Sequence, residues 1–195
     1  MKLKGLFTDL PIKTICIYCG TFGHVVEVDT VLDAASKLLN RQDIGFVFIG
    51  SGQRLEEYKK TSAERGLNAF FLGRKSKQEV HAICNAADIC IYSAKDGELS
   101  AAMLGNKVFD YLGANKPIVY SGPKGAVSDV IEELKAGLLS SAHDAIGLAG
   151  NIEKLADSPS LYKRIKDGAK SFKTAGYTAN NAANILSGVI KQHIT

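Results

Sequence analysis

The chain has 195 residues, 46% of them hydrophobic, enough to bury the core of one α/β domain and short for two. Twenty-four Lys and Arg against 20 Asp and Glu leave a formal charge of +4. That balance suits an anionic ligand, but the basic residues form no stripe or arginine-rich block, which argues against nucleic acid as a partner.

The opening MKLKGLFTDLPIK is interrupted at Lys4, Thr8 and Asp9, and no stretch reaches the roughly 18 uninterrupted apolar residues of a spanning helix. The expectation is a cytoplasmic protein that meets a membrane only peripherally, through a partner. Residues 1–13 read as a linker-like segment. The first strand-like run is TICIYCG at 14–20. Cys16 and Cys19 lie three apart in it, so they point to opposite faces and cannot share one zinc. With Cys84 and Cys90 they are expected to be reduced, buried core thiols that hold no metal.

Gly20-Thr21-Phe22-Gly23 follows, where glycines let the backbone come close to a ligand. The dinucleotide fingerprint G-x-G-x-x-G is absent, since Phe22 and Val25 stand where its second and third glycines belong, and there is no Walker loop. A plain tight turn is the alternative reading. The next stretch, 27–40, has helical period, with Val28, Val31, Leu32, Ala35, Leu38 and Leu39 on one face. IGFVFIG at 44–50 is the second strand, and Ser51 or Gly52 would cap a helix over 53–66 that Gly66 ends.

NAFFLG at 68–73 is the third strand and delivers Gly73 and Arg74, whose amides could meet a base edge or a phosphate. Then come a helix over 76–86, a strand at 87–93, a helix over 106–115, a strand at 117–122, a helix over 126–136 stopped by Gly137, and a short run at 137–140. From there the chain reads as helical only, near 142–157, 159–173 opened by Pro159, and 178–192. Strand-like runs alternating with helices predict a doubly wound parallel sheet of about six strands with helices on both faces. Such sheets bind ligands at the carboxyl ends of their strands.

The most informative segment is GNKVFDYLGANKPIV at 105–119. It predicts a helix opening near Asn106, a turn at Asn115 and a strand after Pro117, with Val108, Phe109 and Leu112 toward the sheet. Lys107 falls in the first helical turn, where a cation opposes the macrodipole unless an anion is bound. Asp110, three residues on, shares its face. The competing reading is a weak Lys–Asp pair on a solvated face.

Four segments in order, YCGTFG with EVDTVLDAA, FVFIGSGQ, FFLGRKSKQEV with NAADICIYS, and GNKVFDYLGANKPIVYSG, resemble the C-terminal half of retaining GT-B glycosyltransferases of the bacterial O-antigen and capsule type. The resemblance, with the six strand-like runs, implies a Rossmann-like domain over 14–195 with strand order 3-2-1-4-5-6 that binds a nucleotide diphosphate sugar, UDP-sugar ahead of GDP-sugar, with no other cofactor and no metal. It places Gly20 and Gly23, with Thr21, near the diphosphate and Gly73 and Arg74 near the base. Lys107 would face the phosphates and Asp110, for the family's glutamate, the ribose. Ser51 and Asn106 are weaker candidates.

The family's first-loop Arg and Lys are replaced by Thr21 and Val26, and its first motif glutamate by Ala102, for which Glu98 is a weak substitute. An N-terminal acceptor-binding domain carrying any catalytic base is expected as a separate chain or as the missing part of an excised half. The alternatives are a non-catalytic nucleotide-binding or scaffold domain of the same fold and an epimerase-like domain.

Overall fold

The computed structural model describes residues 3–7, 11–23 and 27–172. In chain order it contains β1 (Thr14–Cys19), α1 (Asp29–Lys37), β2 (Ile44–Ile49), α2 (Leu55–Glu64), β3 (Ala69–Phe71), α3 (Lys77–Ala86), β4 (Ile89–Ser93), α4 (Glu98–Ala102), α5 (Asn106–Gly113), β5 (Ile118–Ser121), α6 (Ala126–Glu133), β6 (Gly137–Ser140), α7 (Ala145–Asp157) and α8 (Pro159–Ser171). The six strands form one sheet in the order β3-β2-β1-β4-β5-β6, and every pairing is parallel. This is the expected doubly wound architecture. The expected helix over 178–192 lies outside the described residues.

Strand residues alternate between two cores. Ile17, Cys19, Cys90 and Tyr92 face α5 and α6 through Val108, Tyr111, Val127 and Ile131. Cys16, Tyr18, Ile89 and Ile91 face α1 and α7 through Val31, Leu32, Leu148 and Ile152. Cys16 and Cys19 therefore do point to opposite faces, and all four cysteines are buried and free. The segment ahead of β1 also contributes: Leu3 and Phe7 are buried, and the Phe7 ring lies 2.7 Å from where a Cβ on Gly45 would stand. Glycine in the middle of β2 makes room for that ring.

Several local expectations are corrected. Leu39 is 45% exposed, because α1 ends at Lys37 and its stripe closes with Leu38. Ser51 and Gly52 cap nothing: α2 begins at Leu55 with Arg54 at the N-cap and no side-chain cap. Gly50 and Gly52 serve contact instead, since a Cβ on Gly50 would strike the Gly20 carbonyl and one on Gly52 the Phe22 carbonyl. The helix before β6 is ended by Lys135 at φ 51°, and Gly137 is the first strand residue, where a Cβ would meet the Ile118 carbonyl. Phe109 turns from the sheet toward Phe172, ring centroids 5.9 Å apart. Tyr111 takes its place, because Val108, Tyr111 and Leu112 are the i, i+3, i+4 stripe. The short α4 was not expected.

At the centre, β1 turns toward β2 and β4 toward β5, and the register between them ends with Tyr18 opposite Ile91. Just beyond, the Cys19 amide donates to the Tyr111 hydroxyl at 2.9 Å, and that hydroxyl donates to the Ile91 carbonyl at 3.1 Å. One buried phenol thus continues the ladder where the strands separate. Tyr111→Phe keeps the ring and orphans both backbone groups, so denaturant unfolding should show a loss of about 1–3 kcal/mol; an unchanged stability contradicts this role.

Candidate donor-binding site

The strand ends β1, β2 and β3 carry three glycines that support one another. Gly20 N–H donates to the Ile49 carbonyl and Gly50 N–H to the Gly73 carbonyl, at 2.9 and 3.0 Å. Gly50 and Gly73 sit at φ 146° and 67°, a region costly to side-chain-bearing residues. Phe22 fixes the first loop from below: fully buried, it packs on Tyr18, Tyr58 and Phe71. Its amide donates to the Ser51 carbonyl and its own carbonyl accepts from Arg54 N–H. Thr21 is exposed and Gly23 partly exposed. Val26 lies outside the described residues.

Lys107 is the second residue of α5, whose N-cap is Gly105 with no side-chain cap. Its ammonium lies 4.8 Å from the Tyr18 ring centre and 4.9 Å from that of Tyr92. It also donates to the Tyr18 hydroxyl at 3.4 Å and stands 3.0 Å from the position of a Cβ on Gly20. A side chain at 20 would therefore crowd the ammonium, and glycine leaves that space free. The residue as a whole is partly exposed, yet the enclosed ammonium has its pKa lowered from 10.5 to about 8, chiefly by desolvation. The two ring faces offset part of the cost of a cation in a first helical turn.

Gly105 allows this arrangement because a Cβ there would strike the Tyr92 hydroxyl. The Gly105 amide hydrogen-bonds Tyr92.

Asp110 does not pair with Lys107, and among the described residues neither joins an ion pair. The Asp110 carboxyl is partly covered, and burial raises its pKa while Lys77 and His81 of α3 pull it down. The two side chains therefore serve different neighbourhoods: Lys107 the β1–β4 crevice, Asp110 the start of α3. That removes the solvated-pair reading.

Arg74, Asn106 and Glu98 are exposed, Glu98 in the first turn of α4 behind Gly97 at φ 129°. Ala102, in the place of the family's first motif glutamate, is exposed at the end of the same helix. Among the described residues no three His, Cys, Asp or Glu side chains gather as a metal site, and no helix is long and apolar enough to cross a membrane.

The sequence reading missed Tyr18, Tyr92, Phe22 and the buried Glu27. Glu27 accepts from Thr30 at 3.1 Å and lies 3.5 Å from His143 in the loop after β6. A signal existed for the tyrosines. TICIYC, ICIYS and IVYS all place Tyr one residue before the strand ends, so a ring stands at the carboxyl edge each time.

A parallel sheet with glycine-lined strand ends and a desolvated lysine at its switch point defines a Rossmann-like domain of the kind found in GT-B proteins. The chain belongs to the family glycosyl transferases group 1, whose model matches residues 10–172. It is similar to an alpha-D-kanosaminyltransferase of Streptomyces kanamyceticus, 23% identical over 92% of this chain and 46% of the relative. It is similar also to a protein of Pseudomonas aeruginosa named probable glycosyltransferase WbjE, 24% identical over 74% of this chain and 36% of the relative.

Among solved structures, Anabaena HepE in complex with UDP superposes with a TM-score of 0.80 at 13% identity, over 97% of this chain and 51% of that one. The C-terminal domain of the group 1 protein LpcC from Francisella tularensis gives 0.74 at 16% identity, over 91% and 93%. The chain spans less than half the length of the two curated relatives it matches.

The depressed pKa belongs to the folded state, so the charged Lys107 opposes folding fully below pH 8 and ever less as pH rises toward 10.5. Urea unfolding of wild type and Lys107→Met across pH 7 to 10 should show wild type gaining stability relative to the variant through this window. A constant difference means the ammonium is not desolvated.

Proposed function

We propose that this chain is the donor-binding half of a glycosyltransferase that moves a sugar from a nucleotide diphosphate sugar to a hydroxyl acceptor with retained configuration, in polysaccharide or glycan assembly. The observation that carries the reading is the Lys107 ammonium, held without a carboxylate partner among the described residues. It stands at the N-terminus of α5 and directly over the Gly20 backbone. A diphosphate there would meet the helix amides, the loop backbone and the Lys107 ammonium, and would supply a counter-charge to it.

On departure of the sugar, negative charge grows on the diphosphate. The protein's contribution is then electrostatic: fixed donors and a cation in a partly water-excluded crevice. Gly73 and Arg74 flank the base and Asp110 accepts from the ribose hydroxyls. UDP is the preferred nucleotide, a choice supported by the UDP complexes of HepE. The acceptor, and any base, belong to an N-terminal domain of the kind that fills the rest of the relatives' length; any membrane contact would be peripheral and through it, on the cytoplasmic side. The position of Ala102 favours a second reading, a domain that binds the nucleotide and has lost transfer.

Calorimetric titration with UDP tests the site. Lys107→Ala should weaken binding by roughly ten- to a hundredfold, because a charge-assisted contact contributes about 1.5–3 kcal/mol. Wild-type affinity should fall as pH rises through 8, where the ammonium loses its proton. Asp110→Asn should weaken UDP more than an analogue lacking the ribose diol. Thermal melts serve as the folding control, and variants that bind like wild type refute the assignment.

Transfer is tested separately. The 195 residues alone should move no sugar from a UDP-sugar, and fusion to an N-terminal domain from a relative should restore transfer. UDP binding with no transfer in any fusion would establish the second reading.

A further inference from the structure

Three of the four thiols meet at one place on the α5 side of the sheet, directly beneath the donor crevice. Cys19 ends β1, Cys84 lies within α3 and Cys90 within β4. The sulfurs of Cys19 and Cys84 are 3.8 Å apart although 65 residues separate them in sequence. Cys84 also hydrogen-bonds Cys90. No sequence motif announces the pair, since the C-x-x-C spacing joins Cys19 to Cys16 on the opposite face.

Two features distinguish this contact from ordinary core packing. Cys19, at 8% exposure, is the least buried of the three, and Cys84 and Cys90 are fully buried. The hydrogen bond to Cys84 and burial hold the Cys19 thiol well above its usual range, against a smaller opposing pull from the Lys107 ammonium. In the pair one thiol donates to the other, so that the hydrogen bonds from Cys19 and Cys90 hold the Cys84 thiol below its usual range. The charge of the pair rests on Cys84, whose sulfur can take the Cys19 proton along the S–H···S contact. A thiol with a basic sulfur in contact, able to resolve it, is an arrangement that closes to a disulfide on oxidation.

We propose that Cys19 and Cys84 form an oxidation site that reacts with a hydroperoxide and closes to a disulfide beneath the donor crevice. Cys19 gives its proton to the Cys84 thiolate and attacks one peroxide oxygen; the O–O bond breaks, Cys19 becomes a sulfenic acid, and the departing hydroxide takes the proton back from Cys84 and leaves as water. The Cys84 thiolate then attacks the Cys19 sulfur, the S–O bond breaks, and the hydroxide released takes from solvent the proton that Cys84 had given up and leaves as a second water. Two thiols are oxidised to one disulfide, and one hydrogen peroxide is reduced to two waters. A disulfide needs about 2.0 Å between sulfurs, so the pair must draw together by about 1.8 Å from its 3.8 Å separation.

Cys19 cannot move alone. Its amide is the first link of the Tyr111 relay, and Gly20 follows it. Closure therefore displaces the loop that the proposed function assigns to the diphosphate, and this consequence rests on that reading, while the bond itself does not.

The test treats the full chain with hydrogen peroxide under native conditions, blocks free thiols after denaturation and maps linked peptides by mass spectrometry. A Cys19–Cys84 bond is expected in wild type and in Cys90→Ala. Cys84→Ala should instead accumulate a sulfenic acid at Cys19, trapped by dimedone. A Cys84–Cys90 bond, or thiols that stay unmodified until the chain melts, overturns the site. Thermal melts of both variants confirm that they are folded.

UDP titration of oxidised and reduced protein reads the consequence: affinity should drop by roughly tenfold or more and return with dithiothreitol. A mapped bond with unchanged affinity overturns the effect on the crevice. Reduced protein that fails to bind UDP refutes the donor assignment and leaves the mapped bond as the measure of the oxidation site.

Discussion

The separation of β1 from β4 is the constraint on which the rest of the molecule depends. A doubly wound sheet needs a point where successive connections run in opposite directions, and the strands there must part at their carboxyl ends to leave a crevice. Parting exposes backbone donors and acceptors that the interior cannot leave unpaired. The Tyr111 hydroxyl meets both demands, accepting from Cys19 and donating to Ile91. It reaches that position because α5 buries Val108, Tyr111 and Leu112 against the sheet. The same helix therefore closes the ladder with one side chain and presents Lys107 and Asp110 from its open edge.

Close approach governs the crevice itself. Gly20, Gly50 and Gly52 leave no space for a Cβ beside a neighbouring carbonyl, hydroxyl or ammonium, so the three strand-end loops form one contiguous layer of backbone. Phe22 anchors that layer through its aromatic neighbours. The lysine above it is held by ring faces rather than a carboxylate. A cation over two aromatic rings gains about 0.5–2 kcal/mol per favourable contact, enough to keep it in place, while desolvation still lowers its pKa. An ammonium kept in this balance, without a fixed counter-ion among the described residues, is one whose charge an incoming anion can satisfy.

Much of this was legible along the chain. The alternation of β-branched runs with amphipathic helices gave the parallel sheet, because burial on both faces leaves a periodic signature, and the resemblance added its strand order. The segment 105–119 gave the helix start, the αL turn at Asn115, φ 53°, and the candidate pair Lys107 and Asp110. Two of the errors fell where a neighbour distant in sequence decides. Gly137 reads as a helix stop yet is glycine because the Ile118 carbonyl crosses it. Gly52 reads as part of a cap and is needed by the Phe22 carbonyl.

The sequence by itself determined the fold class, the burial of the cysteines and the residues of α5 with chemistry to offer. Each of these follows from local periodicity, residue size and polarity, which act over a few neighbouring positions. Only the tertiary structure decided that Lys107 lies between Tyr18 and Tyr92, that Asp110 faces α3 instead of Lys107, that Tyr111 bridges two separating strands, and that Cys19 meets Cys84 rather than Cys16. Those contacts join residues as many as 92 positions apart, and sheet pairing, not spacing along the chain, brings them within reach.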